Sequence, residues 1–171
     1  MLFIDEAYSL VDGHSGSFGD EAINTIVQEM ENHREDVVVI LAGYPDQMED
    51  LLSTNPGLRS RIAFHVHFDD YSAEDLCAIS KHIAGSKGLR LTDGALEKLG
   101  AIFSEARLQA DFGNGRYARN LIEHARMAQS TRLLAMDPDR IGKRELETIC
   151  EEDIEMLNTA APDRRHLGFC A

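Results

Sequence analysis

The first eight residues, Met1-Leu2-Phe3-Ile4-Asp5-Glu6-Ala7-Tyr8, decide how the rest of the chain is read. An apolar run passes directly into two adjacent carboxylates. Continuous apolar runs mark strands buried on both faces, as in parallel sheets lying under helices. In open α/β sheets ligands gather beyond the carboxyl ends of the strands, so Asp5 and Glu6 are expected at that rim. A hard cation such as Mg²⁺ takes oxygen ligands and is commonly held by one or two carboxylates plus substrate phosphates. A second carboxylate beside it can orient or deprotonate an attacking water. The plain alternative is that the pair simply ends a strand and caps the following turn.

Outward from that stretch, residues 9–20 form a Gly/Ser-rich loop ending in Asp20, which can cap a helix. Ile23, Ile26, Val27 and Met30 then fall on one helical face, and the helix ends near Asn32-His33. Val37-Val38-Val39-Ile40-Leu41 is β-branched and unbroken, a second buried strand. Strand, helix and strand in this order make a βαβ crossover, which brings Asp5, Glu6 and Tyr44 to one edge. Asp46 to Ser53 reads as a short helix broken by Asn55-Pro56-Gly57. Leu58 to Ile62 reads as a tight turn, and Phe64 to Phe68 as a third strand. From Tyr71 the texture is helical. Ser72 and Asp75 form a capping-box pattern, and Thr92 caps a helix with Leu96, Leu99, Ile102 and Phe103 on its apolar face. Phe112 to Gly115 is a loop, Arg116 to Met136 a long helix and Glu145 to Leu157 a final short element. Two domains follow, 1–70 and 71–158, with a loose polar tail over 159–171.

Composition narrows the function classes. The 171 residues carry a formal charge of −13, which argues against a broad nucleic-acid surface, since phosphate binding leans on clustered Lys and Arg. Cys77, Cys150 and Cys170 are odd in number and form no CxxC, which suggests a reducing, cytoplasmic setting. The longest apolar stretch, Val37 to Gly43, is far too short to span a membrane.

Two arginine groups stand out. Arg59 and Arg61 follow Asn-Pro-Gly, where a turn would display them outward, either as solvated side chains or as a group reaching a phosphate on another subunit. Arg116 and Arg119 open the long helix against the preference of its dipole for anions, which points to an anion such as a phosphate, or to pairing with Glu123. His65 and His67 share one face of the third strand, but no third metal ligand stands at a telling spacing.

Taken together these pieces resemble the AAA+ ATPases. Leu2 to Tyr8 looks like a Walker B motif. Val39-Ile40-Leu41-Ala42-Gly43-Tyr44, Asn55-Pro56-Gly57-Leu58-Arg59-Ser60-Arg61-Ile62 and Phe112-Gly113-Asn114-Gly115-Arg116-Tyr117-Ala118-Arg119-Asn120 are similar to the CbbX and stage V sporulation protein K branch. The resemblance implies an incomplete parallel-sheet α/β core from the Walker B strand onward, followed by a small all-α lid. It implies ATP and Mg²⁺ as cofactors, a hexameric ring of identical subunits, a protein client, and no nucleic-acid or membrane partner. Asp5 would help hold Mg²⁺ and Glu6 would activate the hydrolytic water. Tyr44 lies at the sensor-1 position, where many AAA+ proteins have Asn or Thr. Arg61 would be the arginine finger with Arg59 in reserve, and Arg116 the sensor-2 arginine with Arg119 second. The loop from Ser9 to Asp20 would lie near the central pore.

No Gly-x-x-x-x-Gly-Lys-Ser/Thr occurs in the 171 residues, so the backbone nest and Lys that cradle phosphates are not among them. The expectation is therefore the C-terminal part of an AAA+ module, which by itself binds ATP poorly and hydrolyses it negligibly. Two rivals are a non-catalytic assembly or regulatory module and a superfamily-2 helicase. The acidic balance, the helical second half, and Ala42-Gly43-Tyr44 where a Ser-Ala-Thr-like motif would stand all count against the helicase.

Overall fold

A computed structural model describes residues 1–11, 18–109 and 112–157, which divide into two compact units at Phe68–Asp69. In the first unit, β1 (Leu2–Ile4) pairs in parallel with β2 (Val39–Leu41), in the register Leu2 to Val39, Phe3 to Ile40 and Ile4 to Leu41. Helix α1 (Phe18–Asn32) makes the crossover between them. The hydrogen bonding continues past the strands, with Ala42 N–H donating to the Ile4 carbonyl at 2.9 Å and Ala7 N–H to the Ala42 carbonyl at 3.0 Å. A single turn of 3-10 helix, Ala7–Leu10, follows the carboxylates. Ala7, Ile23, Leu51 and Leu58 are fully buried here, with Ile4 and Leu41 packed against them.

Four expectations are corrected. The strands are not covered on both faces: Ile4 and Leu41 face the core, whereas Phe3 and Ile40 are 56% and 42% exposed. Leu58 to Ile62 is no tight turn but lies largely in helix α3 (Pro56–Arg61), behind α2 (Pro45–Thr54). The Asn55 side chain accepts the Leu58 N–H at 2.8 Å and Pro56 sits at the first helical position, so Asn-Pro starts a helix after breaking one. Asp20 lies in the first turn of α1 instead of capping it, an acid placed at the positive end of the helix dipole. Phe64 to Phe68 has the alternation of a strand, but the structure assigns no strand there, and Phe64, Val66 and Phe68 are exposed. Alternation marks a segment fit for a ladder, and a ladder needs a second backbone to pair with. The pore-loop expectation for residues 9–20 falls partly on 12–17, outside the described residues.

The second unit is built on α4 (Ala73–Ser86), α5 (Asp93–Ala106) and α6 (Asn114–Leu134). Ser72 caps α4 by accepting the Asp75 N–H at 3.0 Å, and the Asp75 carboxylate accepts the Ser72 N–H and hydroxyl. Those bonds from Ser72 hold the Asp75 carboxyl below its usual range. Thr92 caps α5 through Ala95 N–H. Leu76, Leu99, Phe103, Leu121 and Ile122 interlock at the centre, each at most 1% exposed. The unit is not helices alone. β3 (Arg90–Leu91) pairs in parallel with β4 (Thr148–Ile149), two residues each, which is too short to leave a periodic signal. The expected element over 145–157 resolves into α7 (Lys143–Glu147), β4 and a 3-10 turn, Glu151–Asp153.

Candidate functional site

The parallel register fixes the rim of the first unit. With Ile4 opposite Leu41, Asp5 falls level with Ala42, and the chain beyond both strands turns at the same edge. Asp5 Oδ1 accepts the backbone N–H of Glu6 at 3.0 Å. Glu6 itself has φ 49° and ψ 44°, a left-handed backbone that costs a non-glycine residue about 1 kcal/mol or more. The turn throws both carboxylates out to solvent while Ala7, the next residue, is completely buried. The strand therefore ends in an outlier conformation at the place where two acids are displayed.

Tyr44 precedes α2 as its N-cap residue and is 65% exposed. Its ring lies 6.3 Å from that of Tyr8, so the two chain ends leaving β1 and β2 meet through an aromatic pair. Gly43 makes the contact possible, because a Cβ there would stand 2.8 Å from both Met48 Sδ and the Tyr8 ring. The structure thus brings Asp5, Glu6 and Tyr44 to one edge. As oxygen donors, Asp5 and Glu6 fit the metal end of a Mg²⁺–nucleotide site, since only one Asp5 oxygen is taken by the backbone. The phosphate nest that such a site also needs has no counterpart among these 171 residues.

Arg59 and Arg61 both lie in the last turn of α3, where cations suit the helix dipole. They differ in what they touch. The Arg61 guanidinium bonds the Gly57 carbonyl at 3.1 Å and pairs with Glu31 on α1 at 3.1 Å. Arg59 is exposed and has no ion pair among the described residues. The Glu31 contact left no sign in the sequence, since its partner lies on another helix.

In the second unit Arg116 and Arg119 stand in the first turns of α6, one turn apart and both exposed, while Tyr117, Ala118 and Leu121 face inward. Glu123 does not serve either arginine; it pairs with Lys87 at 3.3 Å. Asn114, which sequence reasoning placed in a loop, opens this helix with φ 47° and bonds to the chain at residues 70 and 71. A polar residue flanked by glycines just before the arginines was the available signal. His65 and His67 lie in the irregular segment, and no group of three metal-ligating side chains occurs among the described residues. Among those residues no helix is long and apolar enough to cross a membrane.

Comparison with known proteins gives a consistent picture. Residues 72–165 match the AAA lid domain family. The chain is 44% identical over 155 residues to protein CbbX of Cereibacter sphaeroides, covering 90% of this chain and 50% of the relative. It is 41% identical over 156 residues to the chloroplastic ribulose bisphosphate carboxylase/oxygenase activase of Cyanidioschyzon merolae, covering 90% and 53%. It is 38% identical over 180 residues to the ESX-1 secretion system protein EccA1 of Mycolicibacterium smegmatis, covering 98% and 31%. The chain spans about half the length, or less, of these curated relatives.

Proposed function

The chain belongs to the AAA+ ATPase family, and from that premise we propose that it supplies the metal- and water-handling part of an ATP site, together with the lid, in a ring ATPase that remodels a protein. The observation that carries this reading is the end of β1, where a left-handed Glu6 and a backbone-tethered Asp5 present two carboxylates at the carboxyl edge of a parallel pair. Asp5 holds Mg²⁺, and Glu6 takes the proton of the attacking water or orients it. Tyr44 stands beside them as the sensor-1 residue. ATP supplies the phosphoryl group, and these residues place its metal and its nucleophile.

Phosphates would be cradled by a P-loop outside these 171 residues. The exposed Phe3 and Ile40 and the exposed Phe64, Val66 and Phe68 support that reading, because both are surfaces that further elements of an α/β core would cover. Arg116 reads the nucleotide from the lid, with Arg119 second. Arg61 acts on the neighbouring subunit's nucleotide if it exchanges Glu31 for phosphate; Arg59, which has no such tie, needs no exchange. A finger that works across a subunit boundary needs a neighbouring copy of the chain, in keeping with the hexameric ring that the family resemblance implies. The unpaired thiols of Cys77 and Cys150 suit a reducing, cytoplasmic setting. The client is a protein, and the matched relatives are named for rubisco activation and for ESX-1 secretion, two different settings.

A non-catalytic assembly module is the second reading. It is favoured by the Glu31 carboxylate that already occupies Arg61. Calorimetry with ATP and Mg²⁺ tests the first reading on this chain, alongside Glu6→Gln and Arg116→Ala. No measurable heat from any of the three is the expected result. Micromolar binding that weakens in Arg116→Ala would show that the site needs no P-loop, and the account of a shared site would fall. In the assembled ATPase, Glu6→Gln should slow hydrolysis by roughly 10²-fold or more while ATP still binds; unchanged hydrolysis would favour the module reading.

A further inference from the structure

We propose that Asn114 is a positioning residue that ties the inter-unit linker to the arginine-bearing end of α6. This rests in part on the reading of Arg116 as a phosphate ligand. The Asn114 side chain makes two bonds far away in sequence. Its Oδ1 accepts the backbone N–H of Tyr71 at 3.1 Å, and its Nδ2 donates to Asp70 Oδ1 at 2.6 Å. The amide orientation is fixed by chemistry: a backbone N–H can only donate and a carboxylate can only accept. The second bond is short and charge-assisted, the stronger kind.

Asp70 and Tyr71 are the peptide by which the chain enters the second unit, two residues beyond the boundary at Phe68. Asn114 is two residues before Arg116. It is the first residue of its helix and has a φ of 47°, and its amide bonds the linker and not its own helix. Asn is among the few residues that tolerate this backbone. The next turn is anchored separately, by Tyr117 packed between Phe103 at 6.2 Å and Phe112 at 5.3 Å. The start of α6 is therefore held to the core through Tyr117 and to the linker through Asn114. A shift of the helix end as Arg116 engages an anion is passed to residues 70 and 71 through one side chain, and a pull on the linker is passed back to Arg116.

The test is amide exchange and NMR on the full chain. Asn114→Gly keeps the left-handed backbone and removes both bonds; Asp70→Ala removes one and leaves residue 114 untouched. Exchange at the Tyr71 amide should rise roughly tenfold in Asn114→Gly and less in Asp70→Ala. The Leu76 amide, bonded to the Ser72 carbonyl, should not change. If Tyr71 exchanges as in the wild type in a folded Asn114→Gly, or in Asn114→Ala should the glycine variant not fold, the tie does not exist. Inorganic tripolyphosphate at millimolar concentration, high enough to populate a site too weak to give calorimetric heat, should shift the Arg116 Nε–H and the Tyr71 N–H together in the wild type. In Asn114→Gly the Arg116 shift should persist while that of Tyr71 falls away. Tyr71 still tracking Arg116 in that variant would overturn the coupling. An Arg116 signal silent in every variant would instead remove the phosphate reading and leave the tie to be judged by the exchange result alone.

Discussion

Gly43 is the residue on which the rim of the first unit closes. Its missing Cβ leaves room for the Tyr8 ring and Met48 Sδ, both 2.8 Å from where a methyl would sit. In Gly43→Ala the sulfur can swing aside, but the Tyr8 ring is also packed against Tyr44 and must move with it. The expected cost is about 1–3 kcal/mol, the usual penalty for overpacking. A melting curve like that of the wild type would mean that the ring relaxes freely. Nothing local in the sequence explains the need for glycine there; Tyr8, in the 3-10 turn that follows β1, does. The same holds for Arg61 and Arg59, which follow the same Asn-Pro-Gly and differ because the Gly57 carbonyl and Glu31 on α1 each come within 3.1 Å of Arg61 alone.

The small β3–β4 pair is held by α6 from one side. The Gln129 amide, buried, donates to the Thr148 carbonyl at 2.8 Å and lies against those of Leu146 and Glu145 at 3.1 and 3.3 Å. One turn on, Arg132 grips the buried Asp153 carboxylate with Nε and Nη2, both at 2.8 Å, and Asp153 also accepts the Cys150 N–H at 2.8 Å. The bonds to Asp153 push the Arg132 pKa further up, so the guanidinium stays charged throughout the accessible pH range. Arg132→Met would leave a carboxylate that is 2% exposed without its cation, at a cost of roughly 3 kcal/mol. Arg132→Lys should recover part of that loss in chemical denaturation; equal losses would mean that the bidentate fork, not the charge alone, is what Arg132 supplies. Elements with local signatures were legible: the capping box announced α4, and Thr92 announced α5. α3 was misread because Asn-Pro-Gly punctuates a helix in both directions. Phe64 to Phe68 was misread because alternation reports a propensity and not a partner.

At the scale of the whole molecule, each unit carries its own core. Among the described residues four buried apolar side chains cluster in the first unit and fourteen in the second. Since stability follows buried apolar area, the first unit should melt at lower temperature, in a separate step. Gly43→Ala should move only the early step and Arg132→Met only the late one. A single transition shifted by both would show that the units unfold together. The sequence by itself determined the family, through four short motifs in a fixed order, and the helical lid, through caps and apolar periodicity, because these signals are local along the chain. It also named Asp5, Glu6 and Tyr44 as neighbours, since parallel pairing across a crossover fixes which ends meet. Only the tertiary structure decided that Ile4 and Leu41, not Phe3 and Ile40, pack on the core of the first unit, that Glu31 holds Arg61 while Arg59 is left exposed, and that Asn114 reaches back to Asp70 and Tyr71. Each of these depends on which surfaces meet in space, and no periodicity or spacing along a single chain encodes that.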